Sequence, residues 1–204
     1  MKKRLLIISC LVGAVLLIMP EVRSAFALSD AYKDNIYNPG ILKPVDSALK
    51  AKVGRKAPDF ALKAVSGGKV SLAQYRGKKN VAISFVPAAW TPVCSDQWPG
   101  YNIVKEMFDA HDAILLGITV DNLPTLFSWT NQMGKLWFPV LSDFWPHGAV
   151  AKKYGVLRSD GVTERALFVI DKKGIIRYID VHDINQRPSL EILMGELEKL
   201  KRGK

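Results

Sequence analysis

The chain has 204 residues, 49% of them hydrophobic, a mean hydropathy of +0.07 and a formal net charge of +10. These values suit one globular domain with an added apolar segment. The lysines and arginines are spread along the sequence without a dense run or interleaved aromatics, which excludes a nucleic-acid-binding surface.

The apolar segment comes first. Lys2, Lys3 and Arg4 precede the uncharged run Leu5 to Met19, and Ala25-Phe26-Ala27 supplies a small-x-small cleavage pattern, so residues 1–27 read as a secretory signal peptide and the mature chain is expected to start at Leu28. Such a leader implies export, with the periplasm as destination. An uncleaved membrane anchor is the competing reading; the run is short for a full span, and Pro20 and Glu21 favour cleavage. Ile7-Ile8-Ser9-Cys10 has the look of a lipoprotein processing box, but the apolar run continues beyond Cys10. Without the leader, Cys94 is the sole cysteine and no intramolecular disulfide can form. An exported protein is expected to use cysteines in pairs, so a single one points to chemistry or to intermolecular pairing.

Residues 28–52 hold Pro39-Gly40, Pro44 and mixed polar groups and read as an extended arm, ahead of a domain over 53–204. Phe60 to Leu62 and Val70 to Leu72 flank Gly67-Gly68, which predicts a hairpin whose turn needs positive φ. Gly77 to Asn80 turns into a buried strand, Val81 to Val86, stopped by Pro87, and helical periodicity takes over from Ser95. That helix meets Pro99-Gly100, predicting a kink and then a second part with Ile103, Met107 and Phe108 facing the core. A strand over Ile114 to Val120, a helix over Leu123 to Met133 and a short strand over Phe138 to Leu141 follow. Next come a short helix, Val150 to Tyr154, and a hairpin of Ala166 to Ile170 with Ile175 to Val181. The final helix has an apolar face of Leu190, Leu193, Met194, Leu197 and Leu200.

Cys94 thus falls at a strand-to-helix turn. A thiol in the first turn of a helix meets the positive end of the helix dipole and unpaired backbone N–H groups, both of which favour the thiolate, so the position itself predicts a nucleophile. Pro87, Thr91 and Cys94 stand as Pro-x-x-x-Thr-x-x-Cys. With Ala57-Pro58-Asp59-Phe60 before this motif and Arg165-Ala166-Leu167-Phe168-Val169-Ile170-Asp171 after it, the chain resembles the peroxiredoxins, thiol peroxidases on a thioredoxin-like core. The resemblance implies an α/β thioredoxin-like sandwich, with a central mixed β-sheet flanked by helices. It also implies that Cys94 attacks a hydroperoxide and becomes a sulfenic acid, that Thr91 offers its hydroxyl between sulfur and peroxide, that Arg165 stabilises thiolate and developing oxyanion charge, and that Pro87 shields the thiol from water. No cofactor is implied. The implied partners are a hydroperoxide, an external thiol reductant (a thioredoxin-like protein or a small thiol) and a second copy in a homodimer. The resolving cysteine of many relatives has no counterpart here, which makes a one-cysteine peroxidase the expectation.

Taken without the resemblance, Arg165 reads as one half of a surface ion pair with Glu164 or Asp160, and Pro87 as a strand stop. Gln97 either orients Arg165 or simply occupies the first helical turn. His111, His147 and His182 are scattered, lack metal-ligand spacing and read as structural. Trp90, Trp98, Trp129, Trp137 and Trp145 read as core or interface residues, with Trp90 and Trp98, which flank the thiol, as candidate walls of a peroxide pocket. A thiol–disulfide oxidoreductase would need Trp-Cys-x-x-Cys where Trp90-Thr91-Pro92-Val93-Cys94 stands, so the attacking thiol of that class is missing. A non-enzymatic assembly module on the same fold is the remaining alternative.

Overall fold

A computed structural model describes residues 30–202. Residues 1–27, expected to be a signal peptide, with Cys10, and the expected start at Leu28 lie outside the described residues. Seven strands form one mixed sheet: β1 (Ala61–Ala64), β2 (Lys69–Ser71), β3 (Asn80–Phe85), β4 (Ala113–Thr119), β5 (Val140–Ser142), β6 (Arg165–Ile170) and β7 (Ile176–His182), in the order β2-β1-β5-β4-β3-β6-β7. β3 runs parallel to β4 and β4 to β5, whereas β6 lies antiparallel to β3 with Phe85 opposite Ala166. The central strands β3 and β6 are buried along their whole length, including Ser84 and Arg165 among otherwise mostly apolar residues, because the sheet is covered on both faces.

Side-chain alternation along β3 divides the core. Val81, Ile83 and Phe85 join Phe168 and Tyr154 on one face, under α5 (Ala149–Tyr154). Ala82 and Val86 join Leu115, Leu167 and Val169 on the other, beneath α2 (Pro92–Gly100), α3 (Lys105–Ala110), α4 (Leu123–Gln132) and α6 (Leu190–Arg202). The described N-terminal stretch holds a single helical turn, α1 (Asp30–Lys33), and then runs without regular structure to β1, apart from isolated bridges and turns.

Most expected elements are present with boundaries moved by a residue or two, and Gly67 and Gly68 adopt the positive φ that their hairpin needs, 95° and 70°. The helix after Cys94 differs. Instead of one kinked helix, α2 stops at Gly100, a 3₁₀ turn covers Tyr101–Val104, and α3 begins afresh. The tighter turn rotates the face, so Tyr101, Val104 and Phe108 are buried while Ile103 and Met107, expected inward, are 66% and 43% exposed. His111 ties the end of α3 to α6, its ring nitrogens bonded to Met107 O and Glu198 Oε2.

α2 seats closely on the sheet because β4 offers Gly117 there. A Cβ at Gly117 would lie 2.8 Å from Trp98 Cζ2, in a region where Trp98 is fully buried and also packed on Trp129. Gly117→Ala is therefore expected to destabilise the fold by about 1–3 kcal/mol through overpacking, measured by chemical denaturation.

Candidate active site

β3 carries the chain to Pro87, and the next four residues turn it into α2. Asp121, just past β4, holds this turn by accepting from Ala89 N at 2.8 Å and from Thr119 Oγ1 at 2.6 Å. Trp90 sits in the left-handed region with φ 60°, uncommon for a bulky residue, and its carbonyl accepts the Tyr37 N–H at 2.8 Å. Thr91 is the extended residue before α2, Pro92 opens the helix with the pre-set φ that suits its first position, and Cys94 is its third residue. The backbone N–H of Cys94 is thus one of the first-turn donors that have no intrahelical acceptor.

Cys94 has no exposed surface. Arg165, at the start of β6 and 2% exposed, places Nη2 3.5 Å from Cys94 Sγ. The guanidinium also donates through Nε and Nη2 to the Ile184 carbonyl at 3.1 and 2.9 Å, and through Nη1 to Gln97 Oε1 at 2.5 Å. Gln97 in turn donates to Tyr101 Oη at 2.8 Å and to Ser84 Oγ at 3.2 Å, and Trp98 Nε1 reaches the same Ser84 oxygen at 3.3 Å. The one hydroxyl on the inner face of β3 is therefore the base of a buried polar network that ends at the thiol. Burial pushes the Tyr101 phenol above its ordinary value, which keeps it neutral.

On the other side of Cys94, Trp129 Nε1 donates to Ser95 Oγ at 3.1 Å. The Tyr32 phenol lies in the same place, its pKa raised first by burial and also by Cys94. Tyr32 is 1% exposed and stacks on Trp90 with centroids 5.5 Å apart.

A cleft of about 800 Å³ opens beside the thiol. Pro87, Thr91, Val93 and Arg165 line it from the domain, and Tyr37, Ile41 and Leu42 line it from the arm. Pro87, Thr91, Cys94 and Arg165, the four residues singled out from sequence, are thus brought together, with Thr91 Oγ1 donating to Ala88 O at 2.9 Å. The reading of Arg165 apart from the resemblance does not hold: Arg158, not Arg165, takes both candidate carboxylates, Glu164 at 2.7 Å and Asp160 at 3.3 Å. Trp90 and Trp98 follow the core reading and do not line the cleft: Trp98 is buried in the core, and Trp90 packs on Tyr32. Of the two readings of Gln97, the orienting one holds. Tyr32 and Ile184 were missed, since the first acts from a segment with no motif and the second through its backbone.

The sequence profile described as the AhpC/TSA family matches residues 53–179. Alkyl hydroperoxide reductase E of Mycobacterium tuberculosis is 42% identical over 130 residues, covering 63% of this chain and 84% of that protein. A putative peroxiredoxin in the rubredoxin operon of Clostridium pasteurianum is 35% identical over 167 residues, covering 76% and 92%. Among solved structures, the reduced 2-Cys peroxiredoxin of Plasmodium vivax superposes with a TM-score of 0.70 at 29% identity over 75% of this chain and 83% of that one. AhpC of Mycobacterium tuberculosis does so with a TM-score of 0.70 at 22% identity, over 77% and 96%, a likeness of fold alone. The sheet and its helices are therefore the thioredoxin-like arrangement of these enzymes, and the chain belongs to the AhpC/TSA family of peroxiredoxins, thiol-dependent peroxidases.

Proposed function

We propose that this protein is an exported, one-cysteine peroxidase whose reaction is carried by Cys94. The observation that supports this most directly is the 3.5 Å contact between Arg165 Nη2 and Cys94 Sγ inside a buried site. The Cys94 thiolate attacks the terminal oxygen of hydrogen peroxide or of a small organic hydroperoxide. The S–O bond forms as the O–O bond breaks, the sulfur is oxidised by two electrons to the sulfenic acid, and the departing oxygen leaves as water or an alcohol after taking up a proton. Arg165 stabilises the anionic sulfur and the charge on the departing oxygen through charge-assisted hydrogen bonds. Thr91, whose hydroxyl already donates to Ala88 O, presents its oxygen to the peroxide, and Pro87 limits water at the sulfur.

Cys94 is the sole cysteine among the described residues. An external thiol, from a thioredoxin-like protein or a small molecule, accordingly attacks the sulfenic acid, releasing water and forming a mixed disulfide, and a second thiol reduces that disulfide to regenerate Cys94. No cofactor takes part. Phe144 and Trp145, 48% and 82% exposed, line one surface cleft together, apolar area that a second copy in a homodimer would cover. The basic, apolar leader with its Ala25-Phe26-Ala27 pattern supports cleavage and a periplasmic location.

Purified protein is expected to consume peroxide with a thiol reductant, Cys94→Ser to consume none, and Arg165→Met to react about 100-fold more slowly, all followed by peroxide loss. One equivalent of peroxide should leave a sulfenic acid that dimedone traps, without an intrachain disulfide. A Cys94–Cys94 dimer that forms quantitatively and turns over would place the resolving thiol on a second subunit instead. Mass spectrometry of the exported protein should find a chain beginning at Leu28, whereas full-length chain in the membrane would support an anchor.

A further inference from the structure

Arg165 is held against the thiol chiefly by a backbone group, the Ile184 carbonyl, which accepts two of its hydrogen bonds. Ile184 lies just past β7 in a stretch without regular structure, so the strand ladder does not fix that carbonyl. The arm fixes it. Ile184 N donates to Pro44 O at 3.1 Å, and the Asn185 side chain brackets the backbone of Leu42, Oδ1 accepting from Leu42 N and Nδ2 donating to Leu42 O, both at 2.8 Å. Asp183 completes the bracket by accepting from Asn185 N and Nδ2 at 2.9 and 2.8 Å.

The arm is fastened on the other side of Arg165 as well. Glu164, the preceding residue and fully buried, accepts through Oε1 from Asp46 N at 2.6 Å and Ser47 N at 2.7 Å. Its Oε2 takes Arg158 Nη1 at 2.7 Å, and Arg158 Nη2 donates to Lys43 O at 3.0 Å. Arm residues 42–47 thus bind both the residue before Arg165 and the segment that supplies its acceptor. All of them precede residues 53–179, where the family profile matches.

Building on the reading of Cys94 as the peroxide-reducing thiol, we propose that residues 42–47 of the arm are a positioning element of the active site, which holds Arg165 on Cys94 through the Ile184–Asn185 segment. Asn185 is the positioning residue that joins the two. A displacement of the guanidinium by a fraction of an ångström weakens the stabilisation it gives in the transition state without unfolding anything.

The test is a double-mutant cycle on the full chain, reading the second-order rate constant of reduced protein with hydrogen peroxide. Asn185→Ala should lower it about tenfold, with near-UV circular dichroism unchanged and the thermal midpoint lowered by only a few degrees. In an Arg165→Met background the same substitution should change the rate less than about twofold, because the group it positions is gone. A wild-type rate for Asn185→Ala, or a full tenfold loss that persists without Arg165, overturns the proposal. Should Asn185→Ala fold poorly, Asn185→Ser enters the same cycle with the same criteria. An unreactive wild type, or a Cys94→Ser variant as reactive as wild type, defeats the peroxidase reading itself and is told apart by those two controls.

Discussion

A guanidinium that cannot be deprotonated, buried to 2% exposure, is the constraint on which this site depends. Desolvating such a charge is costly unless every donor finds an acceptor and the charge itself finds a counterpart. Arg165 meets two neutral oxygens, Ile184 O and Gln97 Oε1, and one ionisable atom, Cys94 Sγ. The neutral oxygens take three of its hydrogen bonds, and the fourth goes to the sulfur. The same set of bonds that accommodates the arginine in the core holds its Nη2 3.5 Å from Cys94 Sγ.

The sheet brings these groups together. β3 and β6 are adjacent and antiparallel, so the C-terminal end of one, leading to Pro87 and Cys94, faces the N-terminal end of the other, which starts with Arg165. The two-residue period of β6 puts Arg165, Leu167 and Val169 on one side, and Leu167 and Val169 share the core cluster that holds Cys94. Ser84 on β3 then anchors Gln97 and Trp98 from beneath, and Gly117 on β4 leaves room for Trp98. The helix turn bearing the thiol is thus packed on its inner side by specific contacts.

On its outer side the same turn is held by Asp121 and by the arm. The Thr91 side chain does not cap α2, and Trp90 occupies a left-handed conformation, its carbonyl bonded to Tyr37 N and its ring packed on Tyr32. The arm, bonded to the turn at Tyr37 and to the Arg165 side of the cleft at Leu42 to Ser47, joins the two sides of the site.

The sequence by itself determined the strands, the hairpin glycines and the place of Cys94 in the first turn of a helix, since strand and helix periods and turn chemistry are local properties that need no knowledge of the fold; the partnership of Pro87, Thr91 and Arg165 was legible only through the resemblance of their motifs to the peroxiredoxins. Tertiary structure alone decided which arginine meets the thiol. Arg158 and Arg165 are both buried, and the pairing of β6 with β3 brings Arg165 to the end of β3 that leads to Cys94, while Arg158 bonds Glu164. The same holds for Ile103 and Met107, whose exposure follows from a 3₁₀ turn that shifts the helical phase, and for Tyr32, Ile184 and Asn185. Leu42 and Asn185 lie 143 positions apart, and of Leu42 the Asn185 amide meets only the backbone, which every residue carries and no residue type announces.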